Sequence, residues 1–226
     1  MRPEPPPDAL IDDLIDRALA EDLGIAGDVS TTATIGADVR ATGRIVARAP
    51  GCISGIVAAA RVFDRAGGVV AASMGVQDGA CVDAGTTLLE ITGSARTILT
   101  GERTALNLLG HLSGIATATA AAVAAVEGTG ARITDTRKTT PGLRGLEKYA
   151  VRCGGGGNHR FGLHDAVMLK DNHLVAAGSI TAAVLAARER IGHTVTIEVE
   201  VDRLDQVEEA VAAGADIVLL DNMDPE

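Results

Sequence analysis

The feature that most constrains this chain is a change of hydrophobic period in its C-terminal half. Short apolar runs begin near Ile133, Ala166, Val195 and Ile217, and helical patterns over residues 179–191 and 203–213 separate the last three. Strands that alternate with helices in this way run parallel, because each crossover helix returns the chain to the same end of the sheet. In a parallel α/β barrel the working side chains stand at the C-terminal strand ends, where the βα loops converge. Those ends read Thr136-Arg137-Lys138, Lys170-Asp171-Asn172-His173, Glu198/Glu200 and Asp221-Asn222. Two cationic and two anionic terminations are therefore expected on one rim.

The chain ahead of this segment has a different texture. Residues 1–7 are a proline-rich lead-in, and Asp8 is placed to cap a helix running to about Leu23, with Gly24 as its stop. Leu10, Ile11, Leu14, Ile15, Ala18 and Leu19 fall on one face of that helix. Residues 27–32 read as a loop, 41–49 as a half-buried strand, 56–66 as a helix and 69–74 as a strand. Residues 87–91 belong to a glycine-punctuated β segment that faintly resembles biotin or lipoate carriers. Such a carrier needs a lysine at its hairpin tip, and no lysine precedes position 138. From Ser94 the pattern is helical, Gly114 interrupts it, and an alanine-rich helix follows over 115–126. An α+β part over residues 1–108 and a barrel-like α/β part over 109–226 are expected.

Charge narrows the function. The chain has 20 Lys+Arg against 30 Asp+Glu, yet residues 132–173 hold eight cations and four carboxylates, with all three lysines and three of the five histidines. A cationic island in a protein of net charge −10 suits a small, highly charged anion and argues against nucleic acid. Phe63, Phe161 and Tyr149 are the only aromatics, so stacking platforms for single strands are lacking too. Arg144, Glu147, Lys148 and Arg152 fit a solvated helix face. Arg137, Lys138, Arg160 and Lys170 sit beside Gly, Thr and Pro, and are candidates for a ligand. The glycine run at 154–157 leads into Asn158-His159-Arg160 and reads as a close backbone approach to that ligand. His111 and His193 read as surface or helix-end residues.

Glu200 and Asp221 are candidates for Mg²⁺ or sugar hydroxyls, since hard cations prefer oxygen donors. Glu198 shares a strand face with Glu200, so either carboxylate fits that role. Cys52, Cys81 and Cys153 are odd in number and never spaced C-x-x-C, which indicates neither a disulfide framework nor a zinc site. With no signal-peptide core and no 18-residue apolar run, a cytoplasmic location without a membrane partner is expected.

Five blocks together are specific: GERTALN at 101–107, DTRKTTPGLR at 135–144, GGGGNHRFGLHDAVMLKDNH at 154–173, IEVEV at 197–201 and LLDNM at 219–223. In combination the chain resembles the quinolinate phosphoribosyltransferase family from about Leu10 onward. The resemblance implies an N-terminal α+β sandwich domain followed by a partial parallel α/β barrel, incomplete at its C-terminus. It implies Mg²⁺ as cofactor, quinolinate and phosphoribosyl pyrophosphate as substrates, and a homodimer.

By the same resemblance, Arg137, His159, Arg160 and Lys170 match residues that hold the two pyridine carboxylates, and Arg103 matches one reaching the neighbouring subunit's site. Thr136 and Lys138 fall on the phosphoribosyl pyrophosphate side, with Lys138, Glu200 and Asp221 as catalytic positions and the last two as the metal's carboxylates. Family members continue with further strands and a glycine-rich phosphate loop, whereas this chain stops at Asp224-Pro225-Glu226, which reads as the start of a helix. The alternative expectations are a homologue that binds ligand or dimerises without turnover, and a sibling pyridine phosphoribosyltransferase.

Overall fold

The computed structural model describes residues 3–67 and 71–224. Residues 1–2 of the lead-in, the first part of the strand expected at 69–74, and Pro225-Glu226 of the expected helix start lie outside them. The chain divides into two compact units, Met1–His159 and Arg160–Glu226.

In the first unit, α1 (Asp8–Leu23) buries Ile11, Ile15 and Leu19 at helical spacing, while Leu10 is exposed. Pro7 takes the N-cap position, so Asp8 stands in the first turn and favours the helix dipole instead of capping it. A second helix, α2 (Val29–Thr34), replaces the expected loop because the Asp28 carboxylate accepts the Thr31 N–H at 2.9 Å. There follow β1 (Arg40–Val46), β2 (Gly51–Cys52), α3 (Ile56–Arg65), β3 (Ala71–Met74), β4 (Cys81–Val82), β5 (Thr87–Ser94), α4 (Ala95–Ala125) and α5 (Arg144–Cys153). Among the described residues β1-β5-β3 form an antiparallel sheet, and β2 and β4 pair as a separate short ladder. Leu89 and Ile91 of β5, Phe63 of α3, and Ala105, Leu109 and Leu112 of α4 share one core with Ile11 and Ile15. Full burial of each large apolar side chain there stabilises the fold by about 1.5–3 kcal/mol.

The Gly114 interruption does not occur: α4 is one helix of 31 residues, and position 108, where the sequence places a boundary, lies inside it. A helical glycine costs about 1 kcal/mol relative to alanine, which the packed flanks override. By length and composition α4 is also long and apolar enough to cross a membrane. Its Ala105, Leu109, Leu112 and Ala116 are buried, however, and Glu102, Arg103, Asn107 and His111 are exposed, which is the two-faced pattern of a core helix.

The second unit contains β6 (Val167–Leu169), α6 (Asp171–Ala177), α7 (Ile180–Arg190), β7 (Ile197–Val201), α8 (Leu204–Ala212) and β8 (Ile217–Leu220). The three strands form a parallel sheet in the order β6-β7-β8, as the alternation requires. One face carries Leu169, Ile197, Val199 and Val201, packed against Ile180, Ala183 and Val184 of α7 and Ala210 of α8. The other face is mixed, with Met168, Ile217 and Leu219 among carboxylates and a lysine. The register sets Leu169 beside Val199 and Glu200 beside Leu219, so Lys170, Glu198, Glu200 and Asp221 project to the side opposite the helices. The apolar run near Ile133 makes only an isolated parallel bridge, Thr134 with Gly157, and no strand of its own among the described residues.

Candidate active site

In the first unit the sequence-predicted residues issue from a buried polar knot. Asp135 follows the Thr134–Gly157 bridge, which is closed by Gly157 N to Ile133 O at 2.8 Å and Asp135 N to Gly157 O at 3.1 Å. Its carboxylate, 7% exposed, accepts from Lys148 Nζ of α5, from Asn158 Nδ2 at 2.6 Å and from the His159 N–H at 2.8 Å. Lys148, 4% exposed, also donates to His159 O at 3.1 Å. A buried ion pair persists only when further hydrogen bonds satisfy both partners, and this one has them. The knot fixes where Thr136–Lys138 leaves the Thr134–Gly157 bridge and where His159 begins.

A second latch holds the far end of the same loop. Glu147 Oε2 accepts the Thr140 N–H at 3.1 Å, and Oε1 accepts from His111 Nε2 of α4 at 2.8 Å. Burial pushes the Glu147 carboxyl up, but the Thr140 and His111 hydrogen bonds together outweigh it and hold the group below the usual glutamate value. Arg144 Nε reaches Thr139 Oγ1 at 3.1 Å. The expected solvated face of α5 is therefore corrected: Glu147 and Lys148 are buried, and His111 is a working partner. Their periodicity is that of any charged helix, so only the tertiary contacts reveal them.

Packing makes its own demand on the glycine run. A Cβ on Gly154 would fall on the Ala116 carbonyl oxygen and 2.7 Å from Thr119 Cβ. One on Gly156 would fall 2.7 Å from Val151 Cγ1 and 2.8 Å from Thr119 Cγ2. Gly154 and Gly156 are thus held to glycine by packing where α5 turns back against α4, and Gly155 by its φ of 88.

Two guanidinium groups carry a different signal. The Nε atoms of Arg137 and Arg160 are buried and have no hydrogen-bond partner among the described residues. A buried donor without a partner costs about 1–3 kcal/mol, so each is poised for an acceptor. In the second unit Arg160 Nη1 donates to Ala166 O at 3.1 Å, and Asp165 ties the intervening turn by accepting the Phe161 and Gly162 N–H groups at 2.6 and 2.8 Å.

On the face of the parallel sheet away from the helices, Lys170 Nζ meets Glu200 Oε2 at 2.7 Å. Lys170 is also the N-cap of α6, its N–H donating to His173 Nδ1 at 3.0 Å, where the sequence reads an open loop. Asp221 follows β8, its N–H donating to Val201 O at 2.8 Å, and Asn222 turns the chain with φ 53. Glu198 is 3% exposed and Glu200 is half-buried, which leaves Glu200 the more accessible of the two.

The family profile for the quinolinate phosphoribosyl transferase N-terminal domain matches residues 28–113, and that for the C-terminal domain matches residues 115–226. The chain belongs to the quinolinate phosphoribosyltransferase family. Nicotinate-nucleotide pyrophosphorylase [carboxylating] of Mycobacterium leprae is 49% identical over 212 residues, 93% of this chain and 74% of the relative. The human protein of that name is 51% identical over 139 residues, 61% of this chain and 47% of its own length. Among solved structures, NadC from Streptococcus pyogenes matches with a TM-score of 0.93 at 45% identity, covering 98% of this chain and 78% of that one. The Francisella tularensis nicotinate-nucleotide pyrophosphorylase matches at 0.90 and 38% identity, covering 99% and 78%.

Against that family background the candidates fall into three groups. Thr136, Arg137, Lys138 and His159 stand in the first unit around the Asp135 knot, and Arg160, Lys170, Glu200 and Asp221 stand in the second. Arg103 is exposed on α4 and lines a small cleft with Glu21, Asp22 and Asn107, which no other candidate residue lines. For Mg²⁺ the donor chemistry fits. Glu200 and Asp221 are hard oxygen donors on one sheet face, from adjacent parallel strands. No group of three or more His, Cys, Asp or Glu able to hold a metal exists among the described residues. Two carboxylates without a full protein cage match an ion that takes its remaining ligands from water and substrate phosphates.

Proposed function

We propose that the chain transfers a phosphoribosyl group from phosphoribosyl pyrophosphate to quinolinate and releases the ring 2-carboxylate as CO₂. The products are nicotinate mononucleotide and pyrophosphate, for NAD biosynthesis. The observation that most supports this reading is the pair of buried, unpartnered Nε–H donors on Arg137 and Arg160. Planar guanidinium donors match carboxylates, and charge-assisted bonds of this kind contribute about 1.5–3 kcal/mol each. Arg137, His159, Arg160 and Lys170 are assigned to the two carboxylates, and Thr136 and Lys138, both exposed, to the diphosphate side.

Lys170 is free to change partner at small cost. Its side chain is 43% exposed and that of Glu200 17%, so solvent screens the lysine end, and ion pairs near the surface contribute about 0–1 kcal/mol. A substrate carboxylate therefore competes readily with Glu200 for the ammonium group. Glu200 and Asp221 would hold Mg²⁺, which when bound neutralises charge on the departing diphosphate. The pyridine nitrogen attacks ribose C1 with its own lone pair, so no general base is required. Once the ring is a pyridinium, it stabilises the electron pair left as CO₂ departs. The protein's contribution is charge matching and positioning.

We also propose a cytoplasmic homodimer in which Arg103 serves the neighbouring subunit's site; its exposure on α4, where it lines a small cleft with Glu21, Asp22 and Asn107, supports this. The test is turnover of quinolinate with phosphoribosyl pyrophosphate and Mg²⁺, followed as CO₂ release, beside the same assay with nicotinate. Quinolinate is expected to be strongly preferred, and Arg137→Ala to lower kcat/KM roughly 100-fold, about 2.7 kcal/mol. Equal turnover of nicotinate overturns the dicarboxylate reading and favours the sibling monocarboxylate enzyme.

A further inference from the structure

Cys52 on β2 and Cys81 on β4 are direct cross-strand partners. At the adjacent position Ile53 N donates to Ala80 O across the ladder at 2.9 Å. The backbone of Cys52 faces the other way: its N–H donates to Thr117 Oγ1 at 2.9 Å, and its C=O accepts from the same hydroxyl at 3.3 Å. Hydrogen-bonded and non-hydrogen-bonded pairs alternate along an antiparallel ladder, so Cys52 and Cys81 occupy a non-hydrogen-bonded pair. Side chains are closest there, with Cα atoms about 4.5 Å apart. That spacing falls within the window of about 4.4–6.8 Å that a disulfide bridges.

The approach to this pair is held rigidly. Gly79 N donates to Ile53 O at 2.8 Å, and Ala80 N donates to Gln77 O at 3.1 Å. Between them, Asp78 accepts from the Ile56 N–H at 2.9 Å and from the Tyr149 hydroxyl at 3.0 Å. These bonds pin the turn that delivers Cys81 to Cys52. All three cysteines of the chain are free thiols, Cys81 exposed and the other two buried.

We propose that Cys52 and Cys81 form a reversible thiol–disulfide site, with exposed Cys81 as the entry thiol, buried Cys52 as the resolving thiol, and a hydroperoxide as oxidant. The two thiols are set apart by their surroundings. Cys52 is 3% exposed, its S–H donates to Cys153 O at 3.3 Å, and burial first, then the neighbouring Cys81, pushes it up to about 11. It is therefore a poor first nucleophile, whereas Cys81 meets solvent.

The Cys81 sulfur attacks one peroxide oxygen, the O–O bond breaks, and a sulfenic acid and one water result. The Cys52 sulfur then attacks the Cys81 sulfur, the S–O bond breaks, and the departing hydroxide takes the Cys52 proton as a second water. Two thiols lose two electrons and two protons, and hydrogen peroxide is reduced to two waters. Cys153 is the less suited partner. Cys52 donates its S–H to the Cys153 backbone carbonyl at 3.3 Å, and Cys153 is itself buried. Closure of the disulfide removes the S–H donor from the C-terminal end of α5.

The full chain is treated with hydrogen peroxide, capped with N-ethylmaleimide and digested with trypsin. Cleavage after arginine puts the cysteines in separate peptides, 49–61, 66–96 and 153–160. The expected product joins 49–61 to 66–96, is two hydrogens lighter than their sum, and separates on addition of dithiothreitol. Cys153→Ser is expected to retain this link. Cys52→Ser is expected to leave a Cys81 sulfenic acid that dimedone captures, and exposed Cys81→Ser, the variant least able to disturb folding, to abolish the link. A link through Cys153, or wild-type Cys81 oxidised to sulfinic acid while Cys52 remains a thiol, overturns the proposal.

Discussion

Replacing Lys148 with methionine tests whether the Asp135 knot positions the loop that carries Arg137 and Lys138. The change keeps the aliphatic stem and deletes the charge at a site where Lys148 and Asp135 are 4% and 7% exposed. Removing one member of a buried pair typically costs about 3–5 kcal/mol, because the partner's charge stays buried. Asp135 would keep its bonds from Asn158 Nδ2 and the His159 N–H, so the lower end, about 3 kcal/mol, is expected here. For a chain of this size that corresponds to a melting shift of about 6–12 °C. Urea and thermal unfolding measure it, and a double-mutant cycle with Asp135→Asn isolates the coupling. Asp135→Asn should cost much less when added to Lys148→Met than on its own. A loss below about 1 kcal/mol, or strict additivity, would show that the pair does not organise this region.

The Glu147 carboxyl is held below its ordinary value of 4.5, so its contribution is complete above that range and is lost as pH falls through the folded value. Glu147→Gln should flatten the acid limb of a stability–pH curve; a limb parallel to wild type would refute the latch. Gly154→Ala should destabilise by about 1–3 kcal/mol or more in urea melts, because its Cβ meets Ala116 and Thr119. Gly110→Ala within α4, where an added Cβ meets nothing within 4 Å, should stabilise by about 0.4–1 kcal/mol. If the two glycines behave alike, the close-packing account fails. Arg103→Ala and Lys170→Ala should each be nearly inactive, yet recover up to about a quarter of the activity after subunit exchange, since a mixed dimer rebuilds one intact site. No recovery despite demonstrated exchange would remove Arg103 from the neighbouring site.

Local chemistry was legible wherever one segment determines its own shape. The helices beginning at Asp8, Ile56, Ile180 and Leu204 follow from apolar spacing, and three of the four expected parallel runs become strands within a residue or two of their predicted starts. The five motif blocks were sufficient to recognise the family. The short α2 and α6 helices were not legible, because six or seven residues hold too little apolar period and depend on single capping contacts at Asp28 and Lys170.

The longer helices, the parallel strand–helix alternation and the family were legible in the order of amino acids alone, as were the cations that are candidates for an anionic ligand. Those follow from periodicity and residue chemistry, which act within a few residues along the chain. Only the tertiary structure decided which charges are buried and what each touches. It made Lys148 and Glu147 anchors of a loop, drew His111 to Glu147, and pressed Gly154 and Gly156 close against Thr119 of α4. It also carried α4 unbroken through Gly114 and set Cys52 opposite Cys81. Burial and contact between residues distant in sequence arise from long-range packing, on which hydrophobic period and local propensity are silent.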